Sequence, residues 1–487
     1  MIDRLAFDNE LYIKIQSEKI LERIKQFDNK LYLEFGGKMF DDYHASRVLP
    51  GFRPDAKIKS LLEIKNKTEF LIVANAKDIQ TNKVRSDIGI TYENDVLRLI
   101  KKFKSFGLKT GNIVISFYEQ QANVDAFITK LENMGNKVYK HYKIEGYPFD
   151  IDHILSEDGF GKNEYIQTTK PLILVTAPGP GSGKMATCLS QLYNELKHGV
   201  KAGYAKYETF PIWNLPLKHP VNLAYESATA DLNDLNMIDP FHLEAYNQLA
   251  VNYNRDIDVF PVLKKIFEKI YGLSPYQSPT DMGVNMVGNC IIDNDAAILA
   301  SHNEIIRRYL DALVKLKLGK FNQAAVSKIK VIMNHLGLDV NMRSCVQRAR
   351  EKMEESGVHA VAMELRDGTL VTGKESKTLS APAACIINAL KHQAFINKKM
   401  HLLHPSLLNP IIELRQIMNL DQQKLGIDDV LIVLSVSATT NPLALSALDQ
   451  LRNLKYTQAH STRILSYADE QAFKKLSVDL TTDDIYE

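Results

Sequence analysis

Apolar residues along the first 210 positions follow two alternating rhythms. Helical spacing appears over 15–27, 92–106 and 121–134, and short runs of strand length lie at 69–74, 112–117, 137–144 and 201–209. Leu172–Thr176 is apolar without interruption, as a strand covered on both faces should be. Strands separated by helices of this length imply crossovers and a parallel sheet. From about residue 240 to 356 helical spacing takes over, at 242–253, 262–271, 296–316 and 343–355. Alternation returns at His359, where two apolar runs joined by Asp367-Gly368 predict a hairpin. A helix over 382–392, a strand over 430–435 and a helix over 442–451 complete the pattern. The expected class is α/β: an N-terminal parallel-sheet domain over 1–235 (Rossmann-like and P-loop-like), a helical domain over 236–356 and a C-terminal α/β domain over 357–487. Hairpin followed by helix is the layout of cytidine-deaminase-like domains. The H-x-E element is missing, however, and Cys385 stands without a C-x-x-C partner, so zinc deamination is not expected.

Composition narrows the partners. Sixty basic against 58 acidic residues leave a formal charge of +2 over 487 residues, which gives no electrostatic basis for nucleic-acid or membrane-surface binding. The apolar stretches have strand length, short of a membrane span, and the opening residues mix charge with apolar positions unlike a signal peptide. Cys188, Cys290, Cys345 and Cys385 lie far apart, which suits buried thiols in a reducing compartment. A cytoplasmic location is expected.

The segment Ala177-Pro178-Gly179-Pro180-Gly181-Ser182-Gly183-Lys184-Met185 follows an apolar strand and precedes a helix with Met185, Leu189, Leu192 and Leu196 on one face. Glycines let the chain curl so that the N–H groups of Gly179, Gly181, Ser182, Gly183 and Lys184 converge on an anion. The helix N-terminus and the Lys184 ammonium add positive charge. Against G-x-x-x-x-G-K-[ST] the match is partial: Pro178 holds the first glycine position, and Met185 replaces the magnesium-binding hydroxyl. The expected ligand is ATP or another phosphorylated small molecule. The alternative is a glycine-rich turn with no ligand.

The next strand leads into Phe210–Asn222, where Pro211, Pro216 and Pro220 make a stiff loop carrying Trp213. Loops beyond the C-terminal ends of parallel strands share one rim, so this loop should lie near the glycine-rich one. Glu208 and His219 are candidate acid and base, with Lys206 and Asn222 orienting substrate, and Lys218, Glu226 and Asp231 nearby. The competing reading is a proline-stiffened linker with solvated charges. Asp281, Asn285, Asn289 and Asp293 recur every fourth residue, but Gly283 and Gly288 favour an irregular polar segment over a metal site. Lys38, Asp41, His44 and Arg47 read as a solvated helix face, and Ala459-His460-Ser461-Thr462 is a polar cluster of open role.

With Ala177–Lys184, 214–222, 283–290 (Gly-Val-Asn-Met-Val-Gly-Asn-Cys) and 459–462 in view, the chain resembles the bacterial uncharacterised protein family 0371 over nearly its whole length. The resemblance implies N-terminal α/β, helical and C-terminal α/β regions without an established activity. Some members carry an ATP-dependent peptidase label, for which no protease signature stands here. The leading expectation is an enzyme that performs group transfer on a phosphorylated ligand. The alternative is a non-catalytic, ligand-responsive binding protein. A homo-oligomer is the default for a bacterial enzyme of this size.

Overall fold

The structure, a computed structural model, describes residues 4–40, 42–85, 89–418 and 424–486. Six segments form strands in the first part of the chain: β1 (Leu31–Phe35), β2 (Thr68–Asn75), β3 (Lys109–Ser116), β4 (Lys137–Lys140), β5 (Leu172–Thr176) and β6 (Gly203–Tyr207), all but the edge strand β4 with buried residues. Next, β7 (Asn236–Ile238) and β8 (Val251–Tyr253) pair as an antiparallel ribbon. A seventh strand, β9 (Gly283–Val284), then joins the main sheet at its edge. The sheet order is β4-β3-β2-β5-β1-β6-β9, with every pairing parallel. β5 is therefore the central strand, and all of its five residues are buried.

Side-chain alternation assigns each face its cover. Tyr32 of β1 donates to Glu195 Oε1 at 2.7 Å, and the Tyr204 ring of β6 lies 6.1 Å from Phe267. Helices Lys184–Lys197 and Asn254–Tyr271 thus lie on one face. On the other, the Tyr207 hydroxyl is 3.0 Å from that of Tyr12 and 2.9 Å from Ser60 Oγ, so helices Asn9–Lys25 and Ala56–Leu62 cover it.

The chain divides into two compact units. One comprises Leu5–Tyr225 and Asp234–Ile298; the other contains Glu226–Asn233 and the chain from Leu299 onward. In the second unit β10 (Ala360–Glu364) and β11 (Leu370–Lys374) form the expected hairpin. With β12 (Gln458–Ser461) and β13 (Asp479–Thr482) they build a separate sheet in the order β11-β10-β12-β13. The four cysteines are free and buried.

Two expected elements are corrected. Residues 430–435 belong to a helix, Ile427–Ser437, whose buried positions Ile427, Val430, Val433, Leu434 and Ser437 follow helical spacing. Asp428 and Asp429 in its first turn favour a helix start, and Asp429 Oδ2 accepts from the Gly426 amide. The helix expected over 242–253 ends at Tyr246, where Asn247 enters the left-handed region (φ 53°), and the chain turns into β8.

Candidate functional site

In a parallel sheet, loops leaving the C-terminal strand ends gather at one rim, where ligands bind. The loop after β5 runs over the ends of its neighbours. Asn75, at the end of β2, donates from Nδ2 to the Gly181 carbonyl at 3.0 Å. Ser116, at the end of β3, donates from Oγ to the Ser182 carbonyl at 2.6 Å. The Gly183 carbonyl accepts from the Thr187 amide at 2.9 Å. Three successive carbonyls are therefore held by the protein. Among the described residues, the amides of Gly179, Gly181, Ser182, Gly183 and Lys184 donate to no protein acceptor.

Gly183 caps the helix Lys184–Lys197 in the left-handed region (φ 85°). A Cβ there would lie 3.3 Å from Ser116 Cβ, so both conformation and space select glycine. Ser182 is 3% exposed, and its hydroxyl has no partner among the described residues. Beside the loop, Phe117 is itself left-handed (φ 54°), an uncommon conformation for an aromatic residue, and its ring is partly exposed. Lys184 Nζ stands 3.9 Å from Glu34 Oε1, a loose pair. Thr187, the nearest hydroxyl along the helix from Met185, is buried.

Next to the loop, β1 and β6 bring a second group together. Their register sets Glu34 beside Lys206. Tyr204 donates its hydroxyl proton to Glu34 Oε2 at 2.8 Å, and Lys206 donates to Asp256 Oδ1 at 2.6 Å. Asp256 lies in the first turn of Asn254–Tyr271, where the helix dipole favours a carboxylate. Glu208 follows β6, with its amide donating to the Val284 carbonyl at 3.2 Å. Its carboxyl lies over Gly283, where a Cβ would come within 2.5 Å of Oε2.

Burial, reinforced by the Asp256 and Glu34 charges and opposed by Lys206, pushes the Glu208 carboxyl up to about 8. Burial alone would depress the Lys206 ammonium, but Asp256, Glu208 and Glu34 outweigh it and hold that pKa above its ordinary value. Glu208 can thus hold a proton at neutral pH, while Lys206 keeps its charge.

The proline-rich loop is organised by buried amides. Asn222 is fully buried: Oδ1 accepts from the Ile212 amide at 2.7 Å, and Nδ2 donates to the Ile212 carbonyl at 3.0 Å. His219 Nδ1 accepts from the Val221 amide at 3.3 Å, and Nε2 lies 2.9 Å from Asn294 Oδ1. Both ring nitrogens are engaged, which describes a capping residue for the helix Pro220–Ala228, and burial lowers the His219 pKa. The segment after β9 grips the loop from outside: Asn285 Nδ2 donates to the carbonyls of Thr209 (3.2 Å) and Pro211 (3.0 Å), and Trp213 Nε1 donates to the Asn285 carbonyl at 3.1 Å. His44 packs edge-on against Phe210 and Tyr225, whereas Asp41 lies outside the described residues. Lys218 is exposed.

The structure thus brings together the glycine loop, Lys184, Lys206 and Glu208, and it engages His219 and Asn222 in holding the backbone. Sequence reasoning missed Glu34, Asp256, Asn75 and Ser116, which only strand register and helix placement bring to the rim. Two surface concavities lie elsewhere. One of about 420 Å³ includes Lys137, Tyr139 and Glu164 at the opposite edge of β4, and one of about 410 Å³ in the second unit is lined by Arg350 and Glu351. Among the described residues, no cluster of His, Cys, Asp and Glu has metal-binding geometry, and no helix is long and apolar enough to cross a membrane.

Two family models account for the chain. Domain of unknown function DUF1846, N-terminal, matches residues 5–337, and its C-terminal counterpart matches 341–487. The UPF0371 proteins of Streptococcus pneumoniae serotype 19F (strain G54) and serotype 4 (strain ATCC BAA-334 / TIGR4) are each 52% identical to it over 483 residues, covering 99% of this chain and 98% of theirs. The chain belongs to the UPF0371 family.

Proposed function

From that membership and the rim geometry, we propose that the protein is an enzyme that binds a phosphorylated small molecule on Gly179–Lys184 and transfers a group at or beside the phosphate. One observation carries this reading: the carbonyls of Gly181, Ser182 and Gly183 are tied to the protein while the loop amides are left without acceptors. An anion is the ligand that such a surface, at a helix N-terminus beside a lysine, accepts best. Catalysis at phosphate requires mainly positioning and neutralisation of charge. Lys184 would neutralise the phosphate, and Glu208 would deliver a proton to the departing group. Lys206, balanced by Asp256, would keep Glu208 in place and the local charge low. His219 and Asn222 would hold the proline-rich loop instead of touching substrate. With methionine after the lysine, the hydroxyl that binds magnesium in the phosphate-loop pattern is missing at that position, so binding should not depend on that ion.

Thermal-shift titration with nucleotides and sugar phosphates, with and without magnesium, tests the binding. We expect at least one phosphorylated compound to raise the melting temperature, and Lys184→Ala to abolish that rise. A panel without any shift removes the basis of the proposal. Mass spectrometry of the protein incubated with its stabilising compound separates turnover from binding alone.

A further inference from the structure

Beyond the loop, the rim presents three carboxyl groups from separate elements: Glu34 on β1, Glu208 after β6 and Asp256 on the helix Asn254–Tyr271. Glu34 accepts one hydroxyl proton, from Tyr204, and Asp256 accepts from Lys206. The Glu208 carboxyl has no hydrogen-bond partner among the described residues. Protonated at neutral pH, this carboxyl offers its carbonyl oxygen as an acceptor and one O–H donor, and the described residues engage neither. Ligand hydroxyls are the natural donors for it.

Charge points the same way. With Glu208 protonated, the carboxylates of Glu34 and Asp256 already balance the two lysines, Lys184 and Lys206. One phosphate on the loop is supported by the amides and by Lys184. A second or third phosphate directed toward β1 and β6 would meet carboxylates. The Ser182 hydroxyl, buried within the loop, has no partner among the described residues.

We infer that the ligand is a monophosphorylated polyhydroxy compound, a sugar or polyol phosphate, with its phosphate on Gly181–Lys184 and its hydroxyls donating to Glu208 and Glu34. This inference rests on the phosphate-loop reading and specifies what that loop holds. A nucleoside triphosphate is the poorer match, since Glu34 and Asp256 already balance Lys184 and Lys206, and Lys83, beside Tyr92 at Gly179, is paired with Asp78.

Isothermal titration calorimetry of the full chain with inorganic phosphate, glucose 6-phosphate and magnesium ATP tests it. Glucose 6-phosphate should bind at least tenfold more tightly than inorganic phosphate, and more tightly than ATP. Glu208→Ala should reduce the advantage over inorganic phosphate below threefold while leaving inorganic phosphate binding unchanged, because Glu208 meets the ligand's hydroxyls and the loop holds its phosphate. Glu34→Ala serves as a second variant if the first does not fold. Tighter binding of ATP, or an advantage that survives in both variants, overturns the inference and leaves the loop reading standing. Failure of all three probes to bind the wild-type chain removes the loop reading and this inference together.

Discussion

At Glu208 the environment changes the chemistry of the side chain. A glutamate in water is ionised at neutral pH; here burial and two neighbouring carboxylates favour the protonated form, with a value of about 8. The folded state then binds a proton that the unfolded chain releases near the ordinary glutamate value of about 4.5, so this group's favourable contribution is complete below about 4.5 and lost as pH rises through about 8. Glu208→Gln should therefore gain stability relative to wild type between about pH 5 and pH 8 and level off above that. Urea denaturation at several pH values measures the difference, and parallel curves would contradict the assigned environment. Composition could not reveal this behaviour. Glu208 was visible as a candidate because it follows a strand at the rim. The groups that tune it, Glu34 and Asp256, lie 174 and 48 positions away in sequence, and only β1–β6 register and the covering helix make them neighbours.

Between elements, legibility depended on how one-sided each apolar pattern is. Tyr92–Ser105 and Ala122–Asn133 bury one face and expose a charged one, and the sequence shows them. Ile427–Ser437 also carries apolar residues on its outer side, with Ile432 and Val436 exposed, so its run mimics a covered strand. The proline-rich segment expected to be irregular over 210–222 is so over 210–219 but turns helical at Pro220, and what holds it is not visible in the sequence, because Asn285 lies 74 and 76 residues beyond the carbonyls it binds. This contact gives an element-scale test. Removing the Asn285 amide leaves the Thr209 and Pro211 carbonyls without their donor in a buried setting. Loss of such a buried polar partner costs about 1–3 kcal/mol per group. Asn285→Ala should thus lower stability by about 2–4 kcal/mol if the two losses partly add. Trp213 is the single tryptophan and donates to the Asn285 carbonyl, so its fluorescence reports both the unfolding midpoint and any native-state loosening of the loop. An unchanged midpoint would mean that the loop holds without this clamp.

Across the whole molecule, a net charge near zero conceals strong local fields, one in each compact unit. In the first, the buried Asp42 is paired with Lys57 at 2.5 Å; burial opposes ionisation, yet that lysine draws its pKa below the ordinary value. In the second, Arg350 forks onto Asp483, with Nη2 at 2.5 Å from Oδ1 and Nε at 3.2 Å from Oδ2. Burial would raise the Asp483 carboxyl, but His460 and Arg350 bring it down to about 2. His460, fully buried 3.4 Å from Asp483, has its own pKa lowered by desolvation. Thus the polar cluster at 459–462 ties β12 to β13, with His460 Nδ1 2.9 Å from Thr481 Oγ1. Carboxylates with depressed values contribute stability above their unfolded pKa, about 3.9, and lose it as pH falls through the folded value. A shift of nearly two units at Asp483 corresponds to about 2 kcal/mol. Asp483→Asn should therefore be about 2 kcal/mol less stable than wild type at pH 7, by the same conversion, with the gap closing toward pH 2. The Asp42→Asn gap should also close on acidification, and since the two carboxylates serve separate cores, the double variant should show the sum of the two losses. Guanidinium denaturation from pH 7 down to pH 2 decides it. A gap at Asp483 that persists unchanged at pH 2 would show that the variant loses packing and not charge.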